Sequence, residues 1–158
     1  MCSSDLGYRP IYGTSAAVRY GVTAGHYATA SFEAVQAAAG GVRSELAAAQ
    51  ALGGAFPEVV VEVLRVDERS IGVRSTFNGA PLARGSEIVV VARAVVRPAP
   101  GEPPTFDTGD MSRTAQFAAG ASPTADAAAR SRAVRDAARR VGQALGRAVL
   151  GLPEPLEG

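Results

Sequence analysis

Residues 58–67, EVVVEVLRVD, and residues 87–97, EIVVVARAVVR, decide the fold of this chain of 158 residues. Both runs have the length and the β-branched composition of strands. In the first run Val59, Val61 and Val63 share one face, because side chains alternate across a strand. Valines also occupy the second face of both runs, whereas a sheet with helices on one side only should be more polar there. We therefore expect something to cover the second face as well.

The chain around these two runs completes a meander of strands. Asn78-Gly79 lies between them and is a strong signal for a hairpin turn. Residues 98–110 form a connector that is rich in proline and glycine and has no pattern of its own. Residues 110–119 alternate in polarity, which predicts a third strand. A shorter strand is predicted near residues 18–23, ahead of the first helix.

A first amphipathic helix is predicted between the short strand and the meander. Ser31 is its N-cap, and Gly53-Gly54 ends it. We interpret Gly40-Gly41, in the middle of this helix, as the place where the helix packs closely against a sheet. The predicted apolar face consists of Phe32, Val35, Ala39, Val42, Leu46 and Ala49.

A second helix follows the meander. Its cap is Ser122, with Pro123 in the first helical position, or Thr124, and the helix runs to about Leu152. Six arginines and two aspartates give this segment a local charge of +4, for which a solvated helix face is the simplest interpretation. Contact with an acidic partner or with lipid phosphate is the alternative. The predicted apolar face consists of Val134, Ala138, Val141, Leu145, Ala148 and Leu152.

The order β-α-β-β-β-α predicts an α+β fold, with two helices packed on one face of a mainly four-stranded sheet. Residues 7–17 are interpreted as an extended N-terminal segment, residues 18–152 as a single domain and residues 153–158 as a disordered tail. A chain of this length buries enough surface for a core without disulfides or metals.

The composition excludes several classes of protein. A single cysteine rules out an internal disulfide and a thiolate metal cluster, and a single histidine leaves no His-rich metal site. No run of 18 apolar residues is present, so no helix is predicted to span a membrane. The net charge is +1 and aromatic residues make up 6% of the chain, which argues against a nucleic-acid partner.

Catalytic motifs are missing from the sequence. It contains no nucleophile elbow, zinc-protease motif or phosphate-binding loop. His26 is interpreted as a surface residue and Asp67-Glu68 as a solvated turn. Asp107 and Asp110 flank a glycine but have no further acidic residues near them, so a calcium site is weakly supported. We therefore expect a protein that is not an enzyme and that has no cofactor and no bound metal.

The stretch Gly7-Tyr8-Arg9-Pro10-Ile11-Tyr12 resembles the mature N-terminus of the LPS-assembly lipoprotein family, LptE. That family has Cys-Gly-(Phe/Tyr)-(Arg/His)-Pro-Leu-Tyr at this place. The predicted order of helices and strands is also similar to that family. The matching residues are Gly7, Tyr8, Arg9, Pro10 and Tyr12.

The residues before this motif depart from the family. The lipidated cysteine of the family directly precedes the glycine, where this chain has Leu6, and Cys2 lies farther upstream. MCSSDL is also the translation of a common sequencing-adapter end read from a GTG start. We interpret residues 1–6 as an artefact of assembly from environmental DNA that replaces the signal peptide and the true lipidation cysteine.

The resemblance implies a lipid-anchored protein on the periplasmic side of the outer membrane of a Gram-negative cell. Its partners would be an LptD-like β-barrel, which it plugs and helps to assemble, and lipopolysaccharide during export. Two alternatives stay open: an auxiliary periplasmic lipoprotein of an ABC-type exporter, and a small hydrolase or periplasmic ligand-binding domain that uses His26 and nearby carboxylates.

Charge and strand position, rather than the resemblance, indicate which residues could contact lipopolysaccharide or a partner. Guanidinium groups bind phosphate in a bidentate manner. The candidates lie on or near the meander: Arg65, Arg69, Arg74, Arg93 and Arg97.

Overall fold

The computed structural model describes residues 18–25, 31–71, 74–75, 81–82, 85–118 and 122–153. The elements are β1 (Gly21–Ala24), α1 (Phe32–Ala48), β2 (Glu58–Ile71), β3 (Arg74–Ser75), β4 (Pro81–Leu82), β5 (Gly85–Arg97), β6 (Phe106–Asp107), β7 (Met111–Ala118) and α2 (Pro123–Val149). With the two-residue strands set aside, this is the predicted order β-α-β-β-β-α, and the α+β fold class is confirmed.

The main sheet has β2 and β5 at its centre. β1 pairs in parallel with β2, and α1 is the crossover between them. β5 runs antiparallel to β2, and its other edge pairs with β7 and, nearer its C-terminal end, with β6. Both helices pack on one face, where α1 contacts β1 and β2 and α2 contacts β5 and β7. The predicted layer of two helices on one side of the sheet is therefore confirmed.

A β-bulge in the long strand β2 places Val66 on the helix side of the sheet. Val61 and Val63 are completely buried there, as predicted. Between Val63 and Arg65 the register with β5 shifts by one residue. Leu64 is the extra residue in β2. Without the bulge, Arg65 would point into the core and Val66 would point out of it, because side chains on a regular strand alternate. With it, Val66 packs against the core and Arg65 stays exposed.

Serine hydroxyls cap both helices. The hydroxyl of Ser31 accepts a hydrogen bond from the backbone N–H of Ala34 over 3.2 Å. Of the two candidate caps of α2, Ser122 is the one used, and it accepts from the backbone N–H of Ala125, also over 3.2 Å. The predicted apolar face of α1 was wrong at Phe32, which is 74% exposed because this first helical residue lies beyond the core.

The two helices touch through their backbones at Gly41 and Gly142, here called the glycine seam. A Cβ atom on Gly41 would lie 2.4 Å from the carbonyl oxygen of Arg139, and one on Gly142 would lie 2.0 Å from that of Ala38. No side chain larger than hydrogen fits at either place. The interpretation of Gly40-Gly41 as a contact with a sheet was wrong, because Gly41 contacts α2 and Gly40 has no neighbour within 4 Å of such a Cβ.

The core between the helices and the sheet consists mainly of alanine and valine. Its largest fully buried side chains are Leu46, Ile88 and Leu145. Burying each of these contributes roughly 1.5–3 kcal/mol to stability. Small side chains also let the helices approach each other and the sheet closely, so this core depends on tight packing of many small groups.

Some features of the structure differ from the predictions. β6 lies in the connector for which no strand was predicted, and β3 and β4 pair as a separate two-stranded sheet. α2 ends at Val149 rather than at about Leu152. The predicted turn at Asn78-Gly79, the segment 7–17 and the tail after Pro153 lie outside the described residues.

Candidate partner-binding surface

The face of the sheet opposite the helices, here called the helix-free face, carries four of the five candidate arginines. On β5 it consists of the odd-numbered residues from Glu87 to Arg97, because the even-numbered residues belong to the core. On β2 the bulge places Arg65, Asp67 and Arg69 on this face. Within the described residues both helices lie on the other side. The surface is therefore formed by side chains of the two central strands.

An ion pair crosses the centre of the helix-free face. Nε of Arg93 lies 2.7 Å from Oε2 of Glu62, its register partner on β2. Nη1 of Arg93 lies 4.0 Å from Oδ2 of Asp107 on β6. The Glu62 side chain is 12% exposed and that of Arg93 is 36% exposed. Three strands are thus connected by one half-buried guanidinium group.

Opposite charges also face each other at both ends of this face. Glu58 is the register partner of Arg97, and Arg69 is the register partner of Glu87. Opposite charges placed directly across an antiparallel pair stabilise a sheet by about 0.2–1 kcal/mol. Three of the four arginines on this face, Arg69, Arg93 and Arg97, therefore lie opposite a glutamate on the neighbouring strand.

Valines lie between these rows of charge. The pair Val60 and Val95 separates the Glu58–Arg97 row from the Glu62–Arg93 row. Long glutamate and arginine side chains can lay their aliphatic stems over such neighbours. The valines on this face are between 5% and 8% exposed: Val60, Val89, Val91 and Val95.

The structure brings together four of the arginines predicted for partner contact and divides them into two kinds. Arg93 is paired with Glu62, and Nε of Arg65 lies 3.2 Å from Oδ2 of Asp67. Arg69 and Arg97 are exposed and form no ion pair within the described part of the chain. For Arg74, in β3, the structure describes the backbone and not the side chain.

The arginines of α2 bind mostly to the protein itself. Arg130 reaches Glu68 of β2, with 2.7 Å between Nε and Oε2. Arg135 pairs with Glu33 of α1 over 3.0 Å, and Arg147 lies 3.7 Å from the carboxylate of Glu45. The interpretation of this basic face as merely solvated was therefore incomplete, because three of its arginines connect α2 to its neighbours.

Two pairs of acidic residues were considered as catalytic or calcium-binding groups, and the members of the first pair lie on opposite faces of β2. Asp67 lies on the helix-free face, whereas Glu68 points toward α2 and pairs with Arg130. Oδ1 of Asp107 accepts a hydrogen bond from the backbone N–H of Gly109 over 2.9 Å. Asp67 and Glu68 therefore do not form a pair of carboxylates that could share a proton.

Other candidates lie outside the described residues. They are His26, Leu6, Cys2 and the motif residues Gly7, Tyr8, Arg9, Pro10 and Tyr12. Among the described helices, none is both long and apolar enough to cross a bilayer.

The glutamates of the helix-free face were not among the predicted site residues, although the sequence contains a signal for them. Glu58 and Glu62 are four residues apart, and so are Arg93 and Arg97. In an antiparallel pair this equal spacing allows both arginines to face both glutamates at one register. A hairpin turn alone could not give that register, because the bulge between Val63 and Arg65 shifts it by one residue before Glu62 and Glu58 are reached.

Comparison with known protein families gives no match to any family model. No curated protein sequence matches either.

Solved structures do match. A candidate lipoprotein from Caulobacter crescentus superimposes with a TM-score of 0.52 over 86% of this chain and 93% of its own, at 16% identity. The chain shares the fold of that protein. A minor lipoprotein from Acinetobacter baumannii has a TM-score of 0.48 at 10% identity, with 89% of this chain and 99% of its own covered. Rare lipoprotein B from Shewanella oneidensis has a TM-score of 0.46 at 8% identity, with 84% and 92% covered.

Proposed function

We propose that this chain is a non-enzymatic lipoprotein of the outer membrane, similar to the LptE family. In this role it plugs an LptD-like β-barrel, assists its assembly and contacts lipopolysaccharide during export. The proposal is carried by the fold shared with the Caulobacter candidate lipoprotein over 86% of the chain, behind an N-terminal motif of LptE type. Neither observation alone would be enough, because a fold hosts many functions.

The distribution of charge supports a protein that is surrounded by a partner. The lumen of a membrane β-barrel is polar, so a plug needs polar groups on more than one side. Charged side chains occupy both the helix-free face and the outer side of α2, where Arg135 and Arg140 are exposed. The net charge of the whole chain is only +1, so neither sign dominates the chain as a whole.

Arg69 and Arg97 are better suited to bind lipid phosphate than Arg65 and Arg93, the other two candidate arginines on this face. Arg65 and Arg93 already pair with carboxylates. Arg69 and Arg97 are exposed and have no ion pair among the described residues, so a phosphate would displace no salt bridge there. We assign the contact with lipopolysaccharide to these two, with Arg74 as a third candidate.

The first test is the true 5′ end of the gene, recovered from intact genomic DNA. We expect it to encode an apolar signal segment that ends in a cysteine directly before Gly7. The full-length protein should then incorporate radiolabelled palmitate and co-purify with a large barrel protein. A gene that begins near Met1 without an export signal would contradict the proposal.

The second test measures how much lipopolysaccharide reaches the cell surface. Deletion of the full gene should reduce the labelling of surface lipopolysaccharide by antibody, and the wild-type gene should restore it. Arg69→Ala combined with Arg97→Ala should restore it less well. Arg139→Ala, an exposed arginine on α2, is the matched control and should restore it fully. Unchanged surface labelling after a clean deletion would reject the function.

A further inference from the structure

Apart from the short strands β1 and β6 at the ends of the sheet, β2 and β7 each have a stretch of edge that pairs with nothing within the described residues, and these two edges differ in charge. β1 covers β2 only from Glu58 to Val61, and the rest of that edge, residues 62–71, contains five charged residues in ten. β7 pairs with β5 along one side, and its other side extends for eight residues with Arg113 as its one charged residue. Charged side chains protect an edge strand against pairing with another chain. β7 is therefore the less protected of the two edges.

A groove runs beside this edge, between β7 and α2. It has a volume of about 340 Å³. Four apolar residues line it, Ala115 and Phe117 from the strand and Ala129 and Ala133 from the helix. The polar lining residues are Gln116, Arg132 and Asp136. The space exists because α2 directs alanines, rather than larger side chains, toward this end of the sheet.

We propose that β7 accepts an extended segment of the barrel partner as an additional strand of the sheet, with apolar side chains of that segment in the groove. The inference rests on the proposed function and names the contact through which the partner is held. An open strand edge is a row of backbone donors and acceptors, and an extended polypeptide is the ligand that matches such a row. A lipid acyl chain could enter the groove but would leave those backbone groups unpaired.

The position of the added strand determines its pattern of side chains. The added strand would lie about 4.8 Å from β7, under the outer side of α2. Side chains at every second position would face the helix layer, as those of Ala115 and Phe117 do. The segment should therefore carry an apolar residue at every second position and few charges, because β7 itself is nearly neutral.

Photo-crosslinking in the intact outer membrane tests this contact. Thr114→p-benzoylphenylalanine places the probe at the middle of β7, and Ser70→p-benzoylphenylalanine places it on the charged edge of β2 as a control; both residues are exposed. We expect the first probe to attach to one extended segment of the co-purifying barrel protein, identified by mass spectrometry, and the second to give at least fivefold less of that product.

Filling the groove provides a second measurement with a matched control. Ala129→Leu places a larger side chain in the groove, whereas Ala128→Leu is on the adjacent, exposed position of the same helix. Leucine is well tolerated in helices, so neither change should unfold α2. We expect Ala129→Leu to lower the crosslink from position 114 at least fivefold and Ala128→Leu to leave it unchanged.

The outcomes separate this inference from the proposed function. If the barrel protein co-purifies but the probe at position 114 does not reach it, the strand-addition site is rejected and the function stands. A product within residues 1–17 of the same chain, or with a second copy, rejects it too, since another segment then occupies the edge. If no barrel protein co-purifies with the full-length lipoprotein, the proposed function fails and the inference fails with it.

Discussion

Val60 and Val61 are neighbours in β2 and are both almost entirely buried, yet they lie on opposite faces of the sheet. Val61 belongs to the core, which is closed by two helices that meet at the glycine seam. Val60 lies between two rows of opposite charges on a face without a described helix. The same residue type is thus buried beneath two helices on one side of the sheet and among rows of charged residues on the other.

This difference indicates which face is structural and which can rearrange. Van der Waals packing on the helix side tolerates little change in volume, since interiors are packed at crystal density. Charged side chains on the helix-free face can exchange their partners for a ligand or another protein at small cost, because partly exposed ion pairs contribute little. The proposed contact with lipopolysaccharide lies on the second face, at Arg69 and Arg97, which are exposed and have no ion pair to exchange within the described residues.

Breaking the glycine seam should have the largest effect. Gly142→Ala places a Cβ atom 2.0 Å from a backbone oxygen of Ala38, and backbone cannot move aside as a flexible side chain can. We expect a loss of about 3 kcal/mol in the free energy of unfolding, measured in urea with the purified protein.

Gly40→Ala is the control for this prediction. Its new methyl group would meet nothing within 4 Å, so it should raise the free energy of unfolding by about 0.5–1 kcal/mol through helix propensity. Equal effects of the two substitutions would show that the helices do not meet at the seam.

Shortening one valine on each face sharpens the comparison. Val61→Ala removes two methyl groups from a completely buried site, for which we expect a loss of about 2 kcal/mol. Val60→Ala should cost about 1 kcal/mol, because the surrounding charged side chains can close over the gap. Thermal unfolding followed by circular dichroism measures both, and an equal loss would mean that the helix-free face is packed like the core.

The smallest effect is expected for the ion pair on the helix-free face. Glu62→Gln removes the partner that lies 2.7 Å from Arg93 but leaves Asp107 nearby. We expect a loss below about 1 kcal/mol that shrinks further in 1 M salt, because screening weakens exposed pairs. Glu102→Gln, in an exposed loop, controls for the loss of one charge. A loss that does not depend on salt would indicate packing rather than electrostatics.

Much of this fold could be predicted because the patterns that encode it are local. A period of two residues identified the long strands, and a period of 3.6 identified the helices. Ser31 and Ser122 signalled the starts of the helices through a hydrogen bond that spans only three residues. Such features depend on neighbours in the chain, so the order β-α-β-β-β-α was accessible from residue types alone.

Contacts between distant parts of the chain were decided only in the folded protein. Gly40 and Gly41 are the same residue type at adjacent positions in the sequence. Because α2 approaches Gly41, no larger residue fits there, whereas a Cβ atom on Gly40 would meet nothing within 4 Å. The bulge after Val63 shifts every later side chain of β2 to the other face, which no period within that strand reveals. Likewise, Arg93 and Arg97 both lie opposite a glutamate of β2. Only the folded structure shows that Arg93 pairs with Glu62 and approaches Asp107 of β6, whereas Arg97 is exposed and forms no ion pair within the described residues.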